Sequence, residues 1–174
     1  MSVPKFWPDN PFWDFSLDVY SQGDVAEHLI ALQENLGADI NIMLYCYWVA
    51  YLGAPHLTEH QINTVVFLVN RWQREVVKPL RKMRSELKID AKGGPHPWSD
   101  TIRTNIKIVE LEAERLEQLM IYQAHSLEEY DKIETWEMRR HADSNLVDYL
   151  KFCCREPNAE ELTLIDILTV QIFP

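Results

Sequence analysis

Residues 25–53 read VAEHLIALQENLGADINIMLYCYWVAYLG, and the two kinds of apolar spacing inside them decide the fold. Val25, Leu29, Leu32 and Leu36 step by four, three and four, the period of a helix with one buried face. Gly37 then supplies a C′ residue free to turn left-handed. A second helix is predicted over about 39–52, with Asp39 and Asn41 at its start, where an acid meets the positive end of the dipole. Its residues are apolar nearly all round, as in a helix enclosed by others, and Gly53 closes it. The apolar run 42–52 falls short of the roughly 20 residues that a membrane span needs, so a buried core helix is the reading.

Upstream, Asn10–Pro11 is an N-cap followed by proline at the first helical position. Phe12, Phe15 and Val19 then share one side of a short helix ending near Tyr20, and residues 1–9 form an irregular arm. Downstream, Thr58 with Gln61 three residues on predicts a capping box. The helix it opens carries Ile62, Val65, Val66, Val69 and Trp72 and continues as a charged segment to about Lys88. Pro79 should kink or split it at the preceding turn. Residues 89–98, IDAKGGPHPW, read as a loop, with Ser99 or Asp100 capping the next helix. Ile102, Ile106, Val109, Ala113, Leu116, Met120 and Leu127 predict the buried face of that long helix. A last pair of helices is expected over 134–153 and 159–172, with a turn at 155–158. No stretch alternates with period two. The 174 residues therefore predict an all-α fold without a sheet, a compact six- or seven-helix bundle forming a single domain. Leu29→Ala is expected to cost about 2–5 kcal/mol, and Val109→Ala somewhat less.

Composition supports a globular chain: 47% of residues are hydrophobic and 25% charged, which excludes disorder and a disulfide scaffold. The formal charge of −10 disfavours a general nucleic-acid binder or a polybasic membrane protein. The first residues show no signal peptide. Cys46 sits within the apolar run as a core residue. The vicinal Cys153 and Cys154 leave an odd, badly spaced set, so a reducing, cytoplasmic location is expected.

Motifs for chemistry are sparse. His56 and His60 have the i, i+4 spacing of a zinc pair, but Pro55 and the Thr58 cap place His56 ahead of the helix, so a metal site is not expected. No histidine has a glutamate three residues before it, as a di-iron bundle requires. Asp14 with Asp18, and Asp143 with Asp148, are too sparse for a magnesium–diphosphate site. There is no nucleophile elbow or Gly-rich phosphate loop. Glu110, Glu114 and Glu117 cluster on one flank of their helix. They read as a solvated edge paired locally through Arg115, with divalent-cation binding as the competing reading. No cofactor is expected, and whether the protein is an enzyme stays open.

Charge is segregated instead. Residues 71–92 hold eight of the 17 basic side chains and three acids, a +5 segment in a −15 remainder. On a regular wheel Arg71, Arg74, Lys78, Arg81, Lys82 and Lys88 fill one arc, and Trp72, Val76, Leu80, Met83 and Leu87 another. Three readings compete: docking on an acidic neighbour within the fold or across a dimer, recognition of an anionic partner or ligand, and nucleic acid, which the acidic remainder disfavours. The aromatic residues Tyr45, Tyr47, Trp48 and Tyr51 read first as core and second as the wall of a ligand pocket.

The run from Phe12 to Gly53, then WQREVVKPLRKMRSELK and IRTNIKIVELEAERLEQ, resembles an uncharacterised family of small helical proteobacterial proteins, over about residues 12–118. That resemblance implies a cytoplasmic helical protein and brings no activity, cofactor or catalytic residue with it. The functional expectation is a non-enzymatic protein–protein interaction module, by self-association or with a protein partner. Its contact would use Arg71, Arg74, Lys78, Arg81 and Lys82. Reversing Arg81 and Lys82 to Glu should then weaken association and leave helicity intact. The alternative is a small-molecule-binding or enzymatic bundle with an aromatic cavity and a basic rim for an anionic group.

Overall fold

The computed structural model describes residues 7–88, 99–124 and 130–174, and every regular element among them is helical. In chain order these are α1 (Pro11–Tyr20), α2 (Val25–Leu36), α3 (Ile40–Tyr51), α4 (Glu59–Trp72), a π-helical turn (Gln73–Val77), α5 (Lys78–Glu86), α6 (Ser99–Ala124), α7 (Thr135–Cys153) and α8 (Ala159–Ile172). Since α4, the π turn and α5 run on without a break, they form one rod, and the described helices make seven rods. The expected loop at 89–98, Leu127 and the first six residues of the arm lie outside the described residues.

Local chemistry sets the helix ends where the sequence places them. The Asn10 side chain accepts from the Trp13 N–H at 3.3 Å, with Pro11 as the first helical residue. Thr58 and Gln61 form a reciprocal capping box, as do Asn158 and Glu161. Gly37 ends α2 at φ +70°, and its N–H reaches the Gln33 carbonyl at 2.9 Å. Gly53 has φ +79°, and a Cβ there would lie 2.5 Å from the Asp131 carbonyl oxygen, so only glycine fits.

The core forms around α3, in which every residue from Asn41 to Ala50 is buried. This helix packs most extensively on α7 and also touches α1, α2 and α6. Tyr45, Tyr47 and Trp48 are core residues, with Phe12 stacked 5.1 Å from Trp48 and edge-on to Tyr45 at 5.9 Å. Cys46 is buried beside them. Asn145 of α7 is wholly buried and ties two backbones together. Its Oδ1 accepts from the Leu57 N–H at 2.8 Å and its amide donates to the Cys46 carbonyl at 3.2 Å.

Pro79 does not split the rod; its effect is a π turn immediately before it. It has no N–H to donate to Glu75, and its ring crowds that carbonyl. The backbone answers by widening: the Lys78 N–H reaches back five residues to the Gln73 carbonyl. A π turn adds about one residue to the count, so everything after it is displaced by about 100° on the wheel. The buried positions run Ile62, Val65, Val69, and then Gln73 and Val77 in place of Trp72 and Val76. Continued into α5, the shifted face carries Arg81 and Arg84, each half-buried, while Met83 stays 50% exposed.

The facing helix is rotated to match, which corrects the expected face of α6. Ile102 and Val109 are 55% and 52% exposed; of the expected face Ala113 is buried, and the other buried positions are Ser99, Glu110, Glu117, Gln118, Leu119 and Ile121. The glutamates are therefore no solvated edge: Glu110 is 5% and Glu117 0% exposed. An apolar period and an acidic period coexist on α6. The acidic one turns inward because the π turn brings guanidinium and amide donors to meet it. Val109→Ala should accordingly move stability by no more than about 0.5 kcal/mol. Leu29, at 0% exposure, keeps its cost of about 2–5 kcal/mol, and paired urea melts of the two variants check the contrast.

Candidate functional site

Four segments converge beside the π turn. From α1 come Trp13, Ser16, Leu17 and Tyr20, which share one helix face; Asp39, Asn41 and Leu44 come from the start of α3. Arg81 of α5 and Leu111, Glu114 and Gln118 of α6 complete the wall of a cleft of about 160 Å³. Its mouth is apolar and its depth is polar.

The polar depth is a connected network. Ser16 Oγ lies 3.0 Å from Gln118 Oε1, and Gln118 Nε2 donates to Asn41 Oδ1 at 2.8 Å. The Asn41 N–H donates to Asp39 Oδ1 at 2.9 Å, and the Asp39 N–H donates to the Tyr149 hydroxyl at 2.8 Å. Asp39 is also hydrogen-bonded, carboxyl to carboxyl, to Glu117. Behind it the amide of Gln73, swung inward by the π turn, donates to both Glu117 oxygens at 2.9 and 3.2 Å. Burial and then the neighbouring Asp39 charge push the Glu117 carboxyl up to about 10. Burial raises Asp39 as well, against the pull of its hydrogen bonds and of Arg81 and Lys78. The pair therefore retains a proton at neutral pH.

The second half of the network is ionic. Arg81 donates from Nε to Glu110 at 3.1 Å and from Nη2 to Glu114 at 2.7 Å, and its Nη1 reaches Gln33 of α2. Arg84 closes on Glu110 from the next turn. For Glu110, burial raises the carboxyl, but Arg84 and Arg81 overcome it and hold the group below the usual carboxylate range. For Glu114, burial wins over Arg81 and the group is raised. These carboxylates meet guanidinium groups and amides, and among the described residues no three acidic, histidine or cysteine side chains form a metal cage.

Of the five basic residues expected at a contact, the structure separates one from the rest. Arg71, Arg74, Lys78 and Lys82 are exposed, Arg71 and Arg74 meeting Glu75 at 2.9 and 3.0 Å and Lys82 meeting Glu86 at 3.8 Å. Arg81 points the other way, into the cleft wall. A wheel at 100° per residue joins them only if the helix is regular, and the π turn lies between. Sequence reasoning missed Gln73, Asp39 as more than a cap, and the inward role of the glutamates. A signal existed: Gln73, Val77, Arg81 and Arg84 step by four, four and three, against Glu110, Glu114 and Glu117 by four and three. His56 pairs with Asp148 at 3.0 Å, and His60 stands exposed at the start of α4. The Cys153 and Cys154 thiols are half-buried, and burial raises both.

A family model described as a protein of unknown function, DUF2390, matches residues 11–121, more than half of the chain. The chain belongs to the DUF2390 family. No curated protein and no solved structure matches it at a significant level. The DUF2390 match contains the π turn and every residue that lines the cleft, while α7 and α8 lie beyond it. No helix among the described residues is long and apolar enough to cross a membrane.

Proposed function

We propose that the protein is a cytoplasmic small-molecule-binding domain whose cleft takes an amphipathic ligand with an amine or other hydrogen-bond-donating head. The carrying observation is the cleft itself, in which the apolar side chains of α1 and α6 open onto the Asp39 and Glu114 carboxyls, with Glu117 buried behind Asp39. An apolar body fits between Leu17, Tyr20 and Leu111, and the head reaches Asp39 and Glu114. Such mixed concavities, with few polar groups at the end of an apolar wall, are typical ligand sites, and perturbed carboxyls strengthen the assignment. An anionic head fits poorly. Arg81, the one cation in the wall among the described residues, is already committed to Glu110, Glu114 and Gln33. A cationic head, by contrast, lets the retained proton leave and both carboxyls ionise.

Phenethylamine and hydrocinnamate, alike in size and opposite in charge, separate these cases. Phenethylamine is expected to raise the melting temperature and to bind with proton release in titrations run in two buffers. Asp39→Asn should weaken it about tenfold or more, the scale of losing one charge-assisted hydrogen bond. Hydrocinnamate stabilising equally, or neither compound acting, refutes the reading.

A second reading, protein contact through Arg71, Arg74, Lys78 and Lys82, is favoured by the Phe67 ring, which is 85% exposed beside the two arginines.

A further inference from the structure

Phe67 is the most exposed of the large apolar side chains described, although it lies well inside α4. Arg71 and Arg74 follow it at i+4 and i+7, so the three form one strip on the outer face of the rod. The side chains of Arg71 and Arg74 are 84% and 64% exposed. Both arginines meet Glu75, an exposed pair of the kind that exchanges partners at little cost. An aromatic ring flanked by arginines is the composition of an interface anchor, and among the described residues nothing covers it.

A second surface has the complementary shape and charge. A groove of about 550 Å³ lies between α1, α3 and the adjoining ends of α7 and α8, walled by Phe15, Trp48, Tyr51 and Met138. Phe15 and Tyr51 stack at 5.1 Å on its wall. Asp14 and Asp18 stand exposed along its rim, and among the described residues neither has an ion-pair partner. They are four residues apart, about 6 Å along α1, while Arg71 and Arg74, the latter in the π turn, are three residues apart, about 4.5 Å along the rod. The volume of the groove exceeds that of a phenyl ring, and its rim carries the opposite charge at a comparable spacing.

We infer that the outer strip of α4 and the π turn docks head-to-tail into the α1–α3 groove of a second copy of this chain, Phe67 packing in the groove against the stacked Phe15 and Tyr51 rings and Arg71 and Arg74 meeting Asp14 and Asp18. The inference rests on the protein-contact reading and is independent of the ligand cleft. Two different patches meet, so the contact is heterologous, and it propagates to rings or open chains rather than stopping at a symmetric dimer. One anchored ring with two rim ion pairs is a small contact, so the association is weak and transient.

Sedimentation velocity on the full chain, from low micromolar to several hundred micromolar, tests it. The weight-average mass should rise with concentration and fall with added salt. Phe67→Ala, and separately Asp14→Lys with Asp18→Lys, should each weaken association about tenfold or more with unchanged melting temperature, because all three side chains are exposed. An equimolar mixture of the two variants gives the decisive result. Each supplies the surface the other lacks, so the mixture should form a heterodimer and grow no further. A wild-type chain that stays monomeric overturns the self-docking, as does association that survives either variant or a mixture that fails to pair. The broader reading of a protein contact falls separately, if a photocrosslinker at position 67 captures no protein in the native host.

Discussion

Raising the pH from about 6 to about 8 is expected to cost the fold about 2 kcal/mol, and Glu117→Gln is expected to remove most of that loss. The direction follows from the proton retained by the pair of Asp39 and Glu117. Glu117 is raised in the folded chain from its ordinary 4.5 to about 10, first by burial and then by Asp39. Between those values the folded state keeps a proton that the unfolded state releases. Its contribution to stability is therefore complete below the ordinary carboxyl range and is lost as pH climbs toward the folded value. One extra bound proton sets a slope of at most about 1.4 kcal/mol per pH unit. Asp39 and Glu114, also raised, act in the same sense. Glu110 and Glu161 are held low and act in the opposite sense, but only below their ordinary value, outside this window. The neighbours that bias the pair are Gln73 of the π turn, Asn41 of α3, Lys78 and Arg81 of α5, Glu114 of α6, and Tyr149 and Cys154 at the end of α7. Gln at 117 is neutral at every pH and can still accept from Gln73 while donating to Asp39. Guanidinium melts of both proteins across the window decide the matter. A wild-type stability that climbs with pH, as in folds held by exposed carboxylate pairs, overturns the retained proton.

The same network marks where the sequence stops being legible. Helix starts at Asn10–Pro11 and Thr58–Gln61, and the stop at Gly37, are local: a side chain within three residues satisfies an orphan backbone group, so the residues alone announce them. The enclosed helix α3 is equally plain, since nothing but a core tolerates ten successive buried residues. The face of α6 is different. Val109 and Glu110 are adjacent, both belong to a four–three pattern, and the choice between them depends on which donors α5 presents. Those depend in turn on a one-residue shift at Gln73–Val77, which Pro79 prompts but does not dictate. Default expectations put Glu outside and Val inside, because an unpaired buried carboxylate is costly. Here the pairing partners sit on another helix, more than twenty residues away, and no local window contains them. The cleft inherits this difficulty: Asp39 reads as a cap because it is one, with its Oδ1 accepting from the Asn41 N–H. Its second role appears only when Glu117 is brought beside it.

Arg81→Ala is expected to destabilise the protein by about 3–5 kcal/mol, whereas its neighbour Lys82→Ala should change stability by no more than about 0.5 kcal/mol. The two cations are adjacent in sequence, and only their surroundings differ. Lys82 is 78% exposed and 3.8 Å from an exposed Glu86, a pair of little consequence. Arg81 is 29% exposed and joins three elements: α5 to α6 through Glu110 and Glu114, and α5 to α2 through Gln33. Deleting it leaves Glu114 without its cation and the buried Glu110 with Arg84 alone. The cost arises from those stranded carboxylates more than from the lost attraction, so it should shrink at about pH 5, where Glu114 can take up a proton instead. It should shrink further when Arg81→Met is combined with Glu114→Leu, because an apolar pair replaces a desolvated ionic one without leaving a charge behind. Chemical denaturation of the single and paired variants at two pH values measures each part. Equal effects for Arg81→Ala and Lys82→Ala refute the inward assignment. The result also governs how the surface strip is tested: reversing Arg81 together with Lys82 attacks the α5–α6 interface and the outer face at once. A clean test of contact therefore substitutes Phe67, Arg71 or Arg74 and leaves Arg81 in place.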